Sequence, residues 1–237
     1  MISSDILLKL CQRVNSYWGR DQYIHNLLRE QPLKIVDLKW VKVLVSECLV
    51  IHTTSGDIFV FKSSDSREDW DDNYKFFPKK VVDDSSSCCF ICGTATIHTG
   101  FNKQFMFLKE ELMKCKTNTN AIFTGFSLGG ALATLAAYHL DYKSRELVTF
   151  GSPKVGNSEF VKKLKGLLRR NERWVYRKDY ITRLPPGNYY KHTGTLNVIG
   201  YHKLQHKYND GPFYYCIKKH YNDHNINKYI ECIEKIV

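Results

Sequence analysis

AIFTGFSLGGALATLAAYHL, residues 121–140, is the stretch on which the reading of this chain turns. Its opening, Ala121 to Thr124, is short, apolar and bounded by polar residues, the pattern of a buried strand. From Leu128 onward it is a run of small apolar residues without proline, which reads as a helix. Between the two stands Gly125-Phe126-Ser127-Leu128-Gly129. A turn that passes this quickly from strand to helix has no room for side chains flanking the serine, hence glycine on both sides, and it lifts the hydroxyl out at the helix N-terminus. There the helix dipole and the free N–H groups favour negative charge, and the N–H of Leu128 faces a developing oxyanion. The pentapeptide alone also describes a glycine-rich turn packing a helix on a strand. The strand before it and the helix after it make Ser127 a candidate nucleophile.

A serine hydroxyl needs a base, and the base needs an orienting acid. In α/β-hydrolases these follow the serine in the order Asp or Glu, then His. Asp179 is suitably placed, because RWVYRKDYITRLPP, residues 173–186, runs from a strand into a loop stopped by proline. The same aspartate also fits a surface ion pair with Arg177 or Lys178. Asp141 falls on the helix after the turn and is badly placed, and Asp210 is a fallback. Of nine histidines, His224 precedes the last helix in a loop that could swing it towards a serine. His192, His202, His206 and His220 compete with it, and spacing does not choose among them.

The flanking chain continues the alternation. ELVTFGSP (residues 146–153) and RWVYR (173–177) read as buried strands with a helix, VGNSEFVKKLKGLL (155–168), between them. Phe101, Phe105, Leu108, Leu112 and Cys115 keep helical spacing. HNINKYIECIEKIV (224–237) closes the chain as an amphipathic helix. At the other end, Ile6, Leu7, Leu10 and Val14 share one helical face, with Ser4 or Asp5 as the cap. Trp40 to Ser64, rich in β-branched residues and broken at Ser55-Gly56, reads as two strands of a hairpin. Strands alternating with helices predict a largely parallel sheet covered on both faces. Residues 70–96 and 185–223 look irregular.

At 237 residues and 43% hydrophobic the chain can bury a real core, which excludes a disordered protein. No apolar run approaches the roughly 20 residues of a membrane span. The N-terminus lacks the long apolar stretch and cleavage site of a secretory signal. With no glycosylation acceptor and eight cysteines taken as reduced thiols, an intracellular, cytoplasmic location is expected. The net charge of +11 is densest over residues 161–178. This stretch fits a solvated helix face followed by a strand, and it also fits attraction to an anionic surface. Cys89-x-x-Cys92 has no second pair to complete a zinc site, so no metal is expected there. No recognised nucleic-acid module accompanies the charge.

Several segments together resemble the class 3 lipase family, the fungal triacylglycerol lipase type of α/β-hydrolase. They are IHTGF (97–101), TGFSLGGALA (124–133), VTFGSPKVGN (148–157), DYITRLPP (179–186) and DHNINKYI (223–230), in the family's order and spanning roughly residues 57–237. Phe126 stands where the family usually has histidine. FKSSDSREDW (61–70) is similar to a phenylalanine–arginine–glycine–serine/threonine motif, with Lys62 for its arginine and Ser63 for its glycine. The resemblance implies an α/β-hydrolase fold with a central, mostly parallel sheet, helices on both faces and a lid. It implies a triad of Ser127, Asp179 and His224, and an oxyanion hole from Ser64 and Leu128. A lid is implied within about residues 70–96, where Trp70, Tyr74, Phe76 and Phe77 stand amid charge.

The chain is therefore expected to be one lipase domain over residues 1–237, with residues 1–33 as an N-terminal helical segment. It would hydrolyse fatty-acyl esters of glycerolipids without metal or organic cofactor, in transient contact with a lipid surface. Two other readings are a lipase-like domain that has lost turnover and serves as an interaction module, and a phospholipase A acting on anionic phospholipid.

Overall fold

A computed structural model describes residues 2–16, 20–63, 94–200 and 221–236. Seven strands form one sheet in sequence order: β1 (Ile35–Val43), β2 (Ser46–Thr53), β3 (Asp57–Phe61), β4 (Asn120–Phe126), β5 (Ser144–Phe150), β6 (Leu168–Tyr176) and β7 (Thr195–Ile199). The first three pair antiparallel, and β3 to β7 run parallel. This is the mostly parallel sheet of the α/β-hydrolase fold.

Trp40 to Ser64 holds parts of three strands rather than two. The turn at Thr54 to Gly56 is where the composition puts it. The turn at Leu44-Val45 contains no glycine, proline or asparagine, so nothing local announces it. β7 lies inside the stretch read as irregular, because its alternation of Leu196 and Val198 with Thr195 and Asn197 is only five residues long and is closed in by Gly194 and Gly200.

Sequential parallel strands joined by right-handed crossovers put every crossover helix on the same face. That face carries α3 (Thr99–Lys114), α4 (Leu128–His139) and α5 (Ser158–Leu167). Period-two alternation sends Val50, Phe59, Phe61, Phe123 and Leu147 to meet Phe101, Phe105, Leu108, Leu132 and Phe160 there. The other face would stay bare if the chain ends did not cover it. α1 (Ser4–Val14), α2 (Arg20–Leu28) and α6 (Ile226–Ile233) do so, packing Leu7, Leu10, Val14, Ile24, Tyr229 and Ile233 against Leu49, Ile51, Val60, Val148 and Phe150. Neither Ser4 nor Asp5 caps α1. Ser3 is the cap residue without a side-chain bond, and the Ser4 hydroxyl instead donates to Glu172 at 2.9 Å.

The basic stretch divides as a solvated helix face and a strand. Lys162, Lys163 and Lys165 are exposed while Phe160 and Leu164 are buried, and Arg170 is tied to Glu172 at 2.8 Å. Among the described residues no helix is long and apolar enough to cross a membrane.

Candidate active site

β4 ends at Phe126 and α4 begins at Leu128, so Ser127 alone makes the turn. Its φ of 57° and ψ of −124° place a non-glycine residue in a strained region that costs about 1–3 kcal/mol and persists only where the surroundings impose it. They do so by contact. A Cβ on Gly125 would lie 2.2 Å from the carbonyl of Gly129, and one on Gly129 would lie 2.3 Å from the Phe61 carbonyl oxygen. The Ser127 N–H is held by the Phe150 carbonyl at 2.9 Å. Ser127 is 1% exposed. As the first residue of α4, Leu128 has an N–H without an intrahelical partner.

Asp179 and His224 reach this serine from 52 and 97 residues further along the chain. The His224 Nε2 lies 2.7 Å from the Ser127 Oγ, and its Nδ1 lies 2.7 Å from the Asp179 Oδ2. Asp179 follows β6 at the start of a 3-10 turn, Tyr180–Arg183, and is fully buried. Its Oδ1 accepts the N–H of Ile181 at 3.0 Å, and its Oδ2 accepts the Tyr229 hydroxyl at 2.6 Å. The carboxylate thus gathers a ring nitrogen, a phenol and an amide. Gly151, at a φ of +57°, opens the space beside it, since a Cβ there would come within 3.0 Å of the Asp179 Oδ2.

Tyr229 was not among the residues singled out from the sequence. It sits five residues after His224 in DHNINKYI, where helical spacing alone makes it a core residue. Its hydroxyl is a second role that the pattern does not reveal. Phe126 also gains a definite place, stacked on the His224 ring with centroids 4.6 Å apart at 22°, and edge-on to Tyr229 at 5.5 Å.

The other candidates separate from this group. His192 points its Nε2 at the Thr182 carbonyl, 2.5 Å away. Burial, with Arg173 nearby, pushes its pKa down to about 3. His98 is buried against Phe101 and Tyr190, and burial pushes it down to about 4. Asp141 pairs with Arg145 at 3.2 Å. Ser64, His202, His206, His220, Asp210, Cys89, Cys92 and most of the expected lid lie outside the described residues. The altered motif ahead of Ser64 is visible in part: the Lys62 Nζ lies 3.6 Å from Glu47, and the Ser63 N–H is accepted by Asn15 at 2.9 Å. Among the described residues no three His, Cys, Asp or Glu side chains cluster as metal ligands would.

A second polar cluster sits at the opposite end of the sheet, where β3 begins. Burial alone would push the Asp57 carboxyl up, but hydrogen bonds from Asn118, His52 and Thr117 bring it down to about 2. It ties the hairpin to the loop before β4 and is remote from Ser127.

A mostly parallel sheet of this order, with a serine on the tight turn after a central strand, defines an α/β-hydrolase. The chain belongs to the class 3 lipase family, whose model matches residues 58–189. Among curated proteins it is 33% identical over 134 residues to the secreted mono- and diacylglycerol lipase 1 of Fusarium solani, covering 52% of this chain and 38% of that one. It is 28% identical over 146 residues to the secreted mono- and diacylglycerol lipase A of Penicillium cyclopium, covering 57% and 45%. The matches thus span less than half the length of these relatives. Among solved structures, the Rhizomucor miehei triacylglyceride lipase superposes with a TM-score of 0.61 at 22% identity, over 84% of this chain and 82% of that one. The expected intracellular location is corrected by these relatives, which are secreted proteins. Free thiols and a missing glycosylation acceptor are weak guides to compartment, because a chain of this size folds without disulfides or glycans in either place.

Proposed function

We propose that this protein is a serine carboxylic-ester hydrolase of the lipase type, acting on fatty-acyl esters of glycerolipids. The observation that carries the reading is the unbroken hydrogen-bond path from Asp179 through His224 to the buried, strained Ser127. In this mechanism the Ser127 Oγ attacks the ester carbonyl and its proton passes to the His224 Nε2. The tetrahedral oxyanion is met by the N–H of Leu128, joined by Ser64. The C–O bond to the alcohol then breaks, and the His224 Nε2 returns the proton to the leaving oxygen. Water, deprotonated by the same nitrogen, cleaves the acyl-enzyme to the fatty acid and regenerates Ser127. Asp179 holds His224 in the tautomer with hydrogen on Nδ1 and offsets the imidazolium charge.

The proposal takes residues 1–237 as one lipase domain with its lid in about residues 70–96. The relatives' names favour mono- and diacylglycerols as substrates and action outside the cell. The net charge of +11 favours anionic lipid surfaces, which keeps a phospholipase A activity as the second reading. A fluorophosphonate probe tests the central claim. It should label the folded protein at Ser127, and Ser127→Ala should abolish labelling and lower lipid hydrolysis by about 10⁵-fold or more. A folded chain that is not labelled at Ser127 defeats the enzyme reading and leaves the interaction module as the alternative.

A further inference from the structure

β1 and β2 are joined by two residues, Leu44 and Val45. Leu44 has a φ of +53°. A two-residue hairpin turn with positive φ at its first position normally holds glycine there, and a leucine in that conformation is strained. The turn then leaves both side chains in solvent, Leu44 67% and Val45 84% exposed.

The position of the turn supplies a reason. β2 runs antiparallel to β3 with Cys48 opposite Phe61, and Phe61 lies opposite Gly125 in β4. The turn therefore projects from the end of the sheet that carries Ser127. Exposed cations share this end: Lys42 just before the turn, and Arg177 and Lys178 just after β6. Glu47, opposite Lys42 in the register, is engaged with Lys62. Two bare apolar side chains beside the exposed Lys42, with Arg177 and Lys178 four strands further along the same end of the sheet, match the boundary of an anionic bilayer, where apolar groups enter the acyl region and cations meet phosphates.

We propose that the Leu44-Val45 turn is a membrane-docking finger. It inserts its two side chains into an anionic phospholipid surface and holds the Ser127 end of the sheet against it. The purpose of the finger rests on the lipase reading; the binding does not.

The test uses the full chain carrying Ser127→Ala, so that lipid is bound and not consumed. Vesicles of phosphatidylcholine, with and without admixed phosphatidylglycerol, are floated with the protein. The Ser127→Ala chain should float with the anionic vesicles. Adding Leu44→Asn and Val45→Ser should lower the partition by about tenfold or more. Asparagine tolerates positive φ, so the melting temperature should not fall. Val36→Ser, which removes an equally exposed apolar residue from the opposite end of β1, should have no effect. With Ser127 restored, the turn variant should keep hydrolysis of a soluble short-chain ester and lose hydrolysis of vesicles. The proposal is overturned if the turn variant floats like its parent, if Val36→Ser loses as much, or if turnover of the soluble ester falls together with the melting temperature. An unmodified chain that hydrolyses no soluble ester defeats the lipase reading and leaves the flotation result to stand by itself.

Discussion

Phe126→Leu tests how the residue beside the proposed nucleophile contributes. The Phe126 ring lies over His224 with centroids 4.6 Å apart and planes 22° from parallel. Leucine fills similar volume, so the core loses little, but the π face is gone. While His224 is neutral, the stack is worth roughly the 0.5–1.5 kcal/mol of an aromatic pair. In the transition state the same ring carries a positive charge, and a cation over an aromatic face gains about 0.5–2 kcal/mol. Only the part that appears with the charge affects the chemical step. Taking that part as about 1 kcal/mol, kcat should fall roughly fivefold while KM stays where it was. The assay is steady-state hydrolysis of a soluble p-nitrophenyl ester, with active sites counted by fluorophosphonate labelling so that misfolded protein does not enter kcat. Phe126→Tyr keeps the face and should keep the rate. An unchanged kcat in Phe126→Leu would refute the argument, as would an equal loss in Phe126→Tyr, which would make the position one of shape alone.

Two further outcomes follow from neighbouring groups. Tyr229→Phe removes a 2.6 Å hydrogen bond to the buried Asp179 carboxylate, and a bond to a charged group is worth about 1.5–3 kcal/mol. The melting temperature should drop by about 5 °C and kcat should fall with it; calorimetry that finds the variant as stable as its parent rules this out. His98 is held well below its ordinary pKa, at about 4, so the unfolded chain binds its proton first as pH falls. Its contribution is complete above the unfolded pKa of about 6.5 and declines towards pH 4, removing about 2 kcal/mol of stability between pH 7 and pH 5. Urea unfolding at the two pH values should show a smaller loss in His98→Phe, and equal losses in the two proteins would contradict the assignment.

The parts of the site legible in the sequence are those that local chemistry makes obligatory. Gly125 and Gly129 are required by backbone contacts as close as 2.2 Å, so glycine at these positions announces the turn. Asp179 follows a strand and precedes prolines, so its loop is readable. His224 could be picked from the late histidines only through the family resemblance, since what selects it is a contact 97 residues away. Tyr229 is hidden for a related reason: it looks like an ordinary core residue until the sheet brings it against a carboxylate. Phe126 is marked by the resemblance, as a departure from histidine, but its stack on the His224 ring is again a distant contact. The Leu44-Val45 turn escaped because it breaks turn chemistry instead of obeying it.

The topology also explains why the chain ends matter to chemistry placed in the middle. Crossover helices can cover only one face of a sheet whose parallel strands run in sequence order, so the second face falls to α1 and α6. The two helices pack together there, and Cys11 of α1 lies 3.5 Å from Thr124, three residues before Ser127. α6 carries Tyr229 on its buried side, and His224 hangs from the loop immediately before it. The helix that seals the core is thus the same one that sets the imidazole between Ser127 and Asp179. Its apolar seat includes Leu7, Leu10 and Val14 of α1 in the same buried cluster. A residue at the N-terminus can therefore act on the alignment of His224 without touching it, because both depend on how α6 lies on the sheet.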